Sequence, residues 1–238
     1  MYTFPTPLTK YTIYSYLRSP IIVLVIGTPP TILHAHEALL SRSPFFALAC
    51  ENFTPDASTR RIELPSDDLA AAAAVLEYIY KGDYYPSLTG PTAMEDDPSI
   101  PFPDHAGTAL LRHANIYTLA QRFGLPALAQ LAHKKIHLTQ STAKGEIAYA
   151  RFVYQHTGGE DVAIRKPVAN FWSQRSHVLR HEAEAEFKGM CLEFPQFGFD
   201  VLSLVLDGQE KRSARAEAQS SGAAGGQSGR KRQRVSGV

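Results

Sequence analysis

At 238 residues the chain is long enough for one domain with a helical extension. Hydrophobic residues make up 44% and charged residues 20%, and a net charge of +1 gives no overall attraction to nucleic acid or to an anionic membrane. The two cysteines, Cys50 and Cys191, fit no metal-binding or redox spacing. Because this usage suits a reducing compartment, we expect the protein in the nucleus or the cytoplasm.

The first third of the chain predicts a small sheet with short helices. Residues 8–18 favour a short helix, and residues 21–26 are apolar and β-branched, which predicts a core strand. That run is too short to span a bilayer, and the first residues do not resemble a secretory signal. Further strands are predicted at residues 31–35 and 60–64, and helices at residues 36–41 and 44–50.

The clearest predicted element is a helix after the third strand. Ser66 is expected to cap it, with Asp67 and Asp68 in the first turn, where the helix dipole favours carboxylates. Gly82 is expected to end it. Its apolar face recurs every third or fourth residue, at Leu69, Ala72, Leu76 and Ile79.

The rest of the chain is predicted to be mostly helical. Residues 86–104 are rich in proline and acidic residues, which predicts a mobile surface loop. A helix is predicted from residue 105 to Phe123, and Gly124 and Pro126 then make a turn into the next helix. Further helices are predicted at residues 126–139, 142–156, 160–171, 176–188 and 198–207. The tail, residues 209–238, is predicted to be disordered.

Several motif residues occur in the order typical of one family. They are His36, Leu40, Ser43, Phe46, Tyr78, Tyr80, Gly82 and Tyr84, followed by a helical pair over residues 115–128. In this order the chain resembles the BTB/POZ domain of fungal proteins over residues 19–139. The resemblance implies an α+β fold of the BTB/POZ type, a small mixed sheet flanked by a helical cluster.

The resemblance divides the chain into three parts. A BTB/POZ domain would occupy residues 1–139, and a helical extension would follow at residues 140–208, ahead of a basic disordered tail at residues 209–238. The extension is expected to pack on the domain because it is small for an independent core. Its aromatic residues need burial: Phe171, Trp172, Phe194, Phe197 and Phe199.

The family resemblance also implies a function. BTB/POZ domains bind proteins, so the chain is expected to be a non-enzymatic interaction module that forms a homodimer or docks a protein partner, such as a cullin-3 scaffold. Residues 8–18 and 21–26 would supply the dimer surface, and residues 47–56 would face a partner. The alternatives are a substrate adaptor of a cullin-3 type ubiquitin ligase and a small nuclear regulator with a basic tail.

Two sites depart from the family pattern. Dimeric transcription-factor members carry Asp and a basic residue where this chain has Ile21 and Glu37, so their charged corepressor pocket is not expected. Many cullin-3 binders carry a Glu where this chain has Pro55, whose side chain accepts no hydrogen bond. Cullin-3 binding is therefore not favoured. The candidate partner face consists of Phe53, Thr54, Pro55 and Asp56.

No catalytic residue, cofactor site or metal site is predicted. A nucleophile elbow, a P-loop and a dinucleotide fingerprint are all missing from the sequence. The pairs His133/His137 and His177/His181 have a spacing that lets two imidazoles chelate a metal from one helix face, but neither has a clear third ligand. His36 is expected to be structural, with its ring beneath a helix and bonded to the backbone.

The end of the chain carries a basic cluster at Arg230, Lys231, Arg232 and Arg234. This cluster fits the short pattern read by nuclear import receptors, and it is equally typical of a plain solvated tail. Direct binding to nucleic acid is a third alternative. So few charges would give only a weak and salt-sensitive contact.

Overall fold

The computed structural model describes residues 16–53 and 60–224. Over these residues a small mixed sheet lies near the amino terminus and a mostly helical region follows, which confirms the predicted α+β class. The chain divides into two compact units, Met1–Arg165 and Lys166–Val238, which are described separately.

The three strands are β1 (Ile21–Ile26), β2 (Thr31–His36) and β3 (Arg61–Leu64). β1 is central in the order β2-β1-β3, and it pairs antiparallel with β2 and parallel with β3. β-branched residues fill β1, and the tight turn after it begins at Gly27, whose φ of 75° suits glycine. All three predicted strands are confirmed.

One face of the sheet supplies the core of the first unit. Ile22, Leu24 and Ile26 are at most 1% exposed, because alternate residues of a strand point to the same side. On the other face, Ile32 is 52% exposed and Ile21 is 46% exposed. Among residues 21–26, which were expected to supply a dimer surface, Ile21 is exposed, Val23 is half-buried and the other four are buried.

Three helices belong to the first half of this unit, two of them between β2 and β3 and the third after β3. These are α1 (Glu37–Leu40), α2 (Pro44–Glu51) and α3 (Leu69–Lys81). The predicted cap of α3 at Ser66 is wrong, because the Asp68 side chain accepts the hydrogen bond from the Ala71 amide. Gly82 ends the helix in the left-handed conformation, at φ 81°, as predicted.

The proline-rich loop makes contacts both within itself and with the following helix. Leu88 and Met94 pair across it, and the Tyr85 hydroxyl donates to the Asp96 carbonyl at 3.2 Å. Asp97 forms an ion pair with Arg112 of the following helix. A composition rich in proline and acidic residues does not reveal contacts of this kind.

The first unit is completed by α4 (Thr108–Arg122), α5 (Pro126–Leu138) and α6 (Ala143–His156). α4 is central and packs against α3, α5 and α6. The turn between α4 and α5 needs Gly124, because its φ is +67° and an added Cβ would lie 3.0 Å from Pro44. α6 lies in the first unit, although the sequence assigned it to the extension.

The helices beyond this point are α7 (Val162–Glu182), α8 (Glu184–Glu193) and α9 (Pro195–Ala224). α7 is continuous where two helices were expected. Within the second unit, the Trp172 ring stacks on Phe187 at 5.4 Å and meets Phe197 edge-on at 6.2 Å. Phe171 and Phe194 are half-buried, and the expected burial of Phe199 is wrong, since it is 66% exposed.

α9 extends the helical region to Ala224, so residues 209–224 are helical where a disordered tail was expected. The reason is intrinsic propensity, because this stretch is rich in Ala, Glu, Lys and Arg, which are strong helix formers. Within the described part of the chain, no single helix is long and apolar enough to cross a membrane. The pair formed by α8 and Pro195–Gln219 satisfies that criterion of length and composition only when the two helices are counted together, and the chain bends by 112° between them.

Candidate functional site

Several motif residues form contacts between two secondary-structure elements of the first unit, and we call each of these contacts a joint. At the first joint, His36 ends β2 and Tyr80 lies near the end of α3. The Tyr80 hydroxyl accepts a hydrogen bond from the His36 amide at 2.9 Å and lies 2.7 Å from the ring Nδ1. The expected bond from the ring to the backbone is wrong, because the half-buried ring contacts a side-chain hydroxyl instead.

The second joint holds α2 against the end of α4. Ser43 is fully buried, and its hydroxyl donates to the Phe123 carbonyl at 2.6 Å and accepts from the Phe46 amide at 3.3 Å. The Phe46 and Phe123 rings lie 4.7 Å apart. Phe46 and Leu40 are buried, whereas Phe45 is half-buried. The hydroxyl thus caps a helix and fixes a packing contact.

The third joint is built on Tyr84, the last motif residue. It is fully buried, and its hydroxyl lies 2.9 Å from Nδ1 of His113 on α4. The buried ammonium of Lys135 on α5 donates to the Tyr84 carbonyl at 2.5 Å and to the Pro86 carbonyl at 2.8 Å. It also pairs with Asp83. This cluster links the end of α3 to both following helices.

Burial sets the charges of this cluster. Burial, together with the charges of Lys135 and Arg112, lowers the pKa of His113 to about 3, so the ring is neutral. Burial also lowers the pKa of Lys135, and Asp83 opposes that shift. Burial alone would raise the pKa of Asp83, but the bonds from Lys135 and from two amides lower it overall.

Lys135, Asp83 and His113 were not predicted from the sequence as functional or structural sites. A usable signal was present for Lys135, because it continues the buried face of α5 that carries Leu128 and Ala132. A charged residue on an apolar face needs a partner, although the sequence does not say which one.

The candidate partner face is only partly described. Phe53 is half-buried, with the Arg60 guanidinium 6.0 Å from its ring centre. Thr54, Pro55 and Asp56 lie outside the described residues. Next to this segment, Leu48 of α2 is 63% exposed.

Two grooves open on the first unit. One, of about 700 Å³, lies under the proline-rich loop and is lined by Asp97, Arg112 and His113 among others. The other, of about 520 Å³, follows α4 and α5 and is more apolar, with Leu125, Pro126 and Ala129 in its wall. One acidic group of the first groove is already engaged, since Asp97 forms an ion pair with Arg112.

The remaining predicted positions are scattered. Tyr78 is half-buried on α3, and Gly82 is the cap described above. His177 and His181 are both exposed on α7, whereas His133 and His137 are in ring contact on α5. The basic cluster Arg230, Lys231, Arg232 and Arg234 lies outside the described residues.

Comparison with known protein families found no family that matches this chain. Comparison with curated proteins found no matching relative either.

Proposed function

We propose that the chain is a non-enzymatic protein-interaction module with a BTB/POZ-type fold, and that it associates with a second copy of itself. One observation carries the proposal. His36 and Tyr80 belong to separate parts of the motif, 44 positions apart, and they are bonded to each other. A chance match of spacings gives no reason for its parts to touch, so this contact supports the family resemblance.

In this proposal the motif residues stabilise the fold. Ser43 and Tyr84 are fully buried, and each hydroxyl has a hydrogen-bond partner within the first unit. Groups that are buried and paired in this way hold helices together and are not available to a substrate. The function then belongs to the surface, and we propose no catalytic chemistry for the chain.

The proposed self-association surface is the start of the sheet. Leu17 is 49% exposed and Ile21 is 46% exposed, and both follow directly on residues 8–15, which lie outside the described residues. Ile32 offers a matched control, because it is 52% exposed but pairs with Val25, whereas Ile21 pairs with His36 towards the other end of the hairpin.

The test compares three forms of the full chain by sedimentation velocity over a range of concentrations. We expect the wild type and Ile32→Arg to associate, and Leu17→Arg/Ile21→Arg to remain monomeric, since an arginine in an apolar contact carries an unpaired charge. If Ile32→Arg loses association while Leu17→Arg/Ile21→Arg keeps it, the result would contradict this surface. A wild type that is monomeric throughout would contradict self-association itself.

Docking on a cullin-3 type scaffold is the second candidate, and the exposure of Leu48 favours it. In this alternative the chain acts as an adaptor of a ubiquitin ligase, and Leu48 enters an apolar pocket of the partner. A titration with the cullin-3 N-terminal domain should show binding that Leu48→Arg abolishes and Leu202→Arg preserves, since Leu202 is similarly exposed on α9. No binding by the wild type would rule this candidate out.

The proposed compartment is the nucleus or the cytoplasm. The basic cluster at residues 230–234 makes the nucleus the first compartment to examine. A fluorescent fusion of the full chain should leave the nucleus when those basic residues are changed to alanine, if the cluster is an import signal. Unchanged distribution would identify it as a plain tail.

A further inference from the structure

Two imidazoles lie one turn apart on α5. His133 and His137 are four positions apart, so both side chains lie on one face of the helix. Their Nε2 atoms are 3.3 Å apart, and the rings meet edge to face with centres 4.5 Å apart. His137 is exposed and His133 is half-buried. Two ring nitrogens therefore converge at the surface of the first unit.

The separation of these nitrogens suits a shared metal ion. Two nitrogens 3.3 Å apart, each at the zinc–imidazole bond length of about 2.1 Å, subtend about 104° at the ion. That angle is close to the tetrahedral geometry that zinc adopts in proteins. Both ligands project from the same face of α5, one turn apart.

The surroundings also favour a ligand role. His133 lines the 520 Å³ groove, together with Tyr117 and Gln130. His133 thus borders open space that water or a small ligand can enter.

We propose that His133 and His137 together bind one divalent transition-metal ion, with water in the remaining coordination positions. Over residues 16–53 and 60–224, no group of three or more His, Cys, Asp or Glu side chains is placed to hold a metal, so no third side chain of that kind completes the site. Imidazole suits zinc, nickel and copper, and Cu²⁺ should bind most tightly. Mg²⁺ prefers oxygen ligands and should not bind.

The test is a calorimetric titration of the full chain with ZnCl₂, repeated with CuCl₂ and with MgCl₂. Wild type should bind one zinc ion that the His133→Ala/His137→Ala variant does not bind. The matched control is His177→Ala/His181→Ala, which removes the other pair of the same spacing and should bind zinc like the wild type. Zinc binding that survives the first variant, or that the control variant loses, would overturn the proposal.

A second readout guards against a variant that fails to fold. His137 is exposed, so His137→Gln alone should leave the circular-dichroism spectrum unchanged while it removes zinc binding. Zinc should also raise the melting temperature of the wild type, because a ligand that binds only the folded chain stabilises it. An equal rise in the His137→Gln variant would show that zinc acts at another site.

Discussion

The ammonium of Lys135 lies 3.7 Å from the centre of the Tyr84 ring and donates a hydrogen bond to the carbonyl of the same tyrosine. One buried cation therefore contacts one residue through both its ring and its backbone. The contact joins α5 to the segment that follows α3, so we expect the packing of the first unit to depend on it.

Replacement of Lys135 by methionine should destabilise the protein strongly. Lys135→Met keeps the length of the side chain but leaves Asp83 without its ion-pair partner and two carbonyls without their donor, at a cost of about 3–5 kcal/mol in the free energy of unfolding. Urea denaturation measures this change. Lys134→Met is the control, because Lys134 is exposed and its loss should change stability by no more than about 0.5 kcal/mol. Equal effects of the two substitutions would contradict the role of Lys135.

The free energy of unfolding should fall as the pH is lowered from 6.5 towards 3. The pKa of His113 is about 3 in the folded chain against 6.5 for an ordinary histidine, so over that interval the unfolded chain binds the extra proton. The contribution is complete above pH 6.5 and is lost progressively down to about pH 3, with a slope of at most about 1.4 kcal/mol per pH unit.

The matched variant for this pH dependence is His113→Gln, which can still offer an acceptor to the Tyr84 hydroxyl but has no proton to bind. Urea denaturation of both proteins across this pH interval should give a shallower slope for the variant. Parallel curves for the variant and the wild type would show that His113 does not remain neutral in the folded chain.

Loss of the Ser43 hydroxyl should cost about 1–3 kcal/mol, because Ser43→Ala leaves the buried Phe123 carbonyl and the Phe46 amide without a partner. Ser41→Ala removes a hydroxyl that donates to the Glu37 carbonyl at an exposed position, and it should cost much less. Chemical denaturation of the two variants tests the difference. Equal midpoints of urea denaturation for the two variants would contradict the role of the Ser43 hydroxyl in holding α2 against α4.

The Tyr80 hydroxyl should contribute about 0.5–1.5 kcal/mol through its bond to the His36 amide. Tyr80→Phe removes only that hydroxyl. Tyr78→Phe removes a half-buried hydroxyl two positions away on the same helix and serves as the comparison. We expect thermal unfolding to shift more for the first variant, and a larger shift for Tyr78→Phe would contradict the importance of the joint.

The sequence predicted those elements that local chemistry decides. Residues 21–26 form a strand because they are β-branched and bounded by Gly27, and α3 ends at Gly82 because the left-handed conformation suits glycine. The cap of α3 was misplaced because Ser66 lies in the turn after β3, where the Asp67 amide bonds to the Leu64 carbonyl. Ser66 and Asp68 are both good capping residues two positions apart, and Ser66 is held in the turn after β3 while Asp68 caps the helix.

The joints could be predicted only in part. The spacing of His36 and Tyr80 singled out both residues, but nothing local indicated that they bond to each other. Lys135 binds groups some fifty positions earlier in the chain, and such a contact exists only after α5 has packed. The helix over residues 209–224 was not predicted, because the polar composition of this stretch is typical of a disordered tail although many of its residues are strong helix formers.

The most direct test of a self-associating interaction module is the mass of the full chain in solution, measured by light scattering coupled to size exclusion at several concentrations. We predict a mass that rises to twice the chain mass of 26.2 kDa. The mass should return to that of one chain in the Leu17→Arg/Ile21→Arg variant. A wild type that elutes with the mass of a single chain at every concentration, and that does not shift when the cullin-3 N-terminal domain is added, would contradict the proposed function.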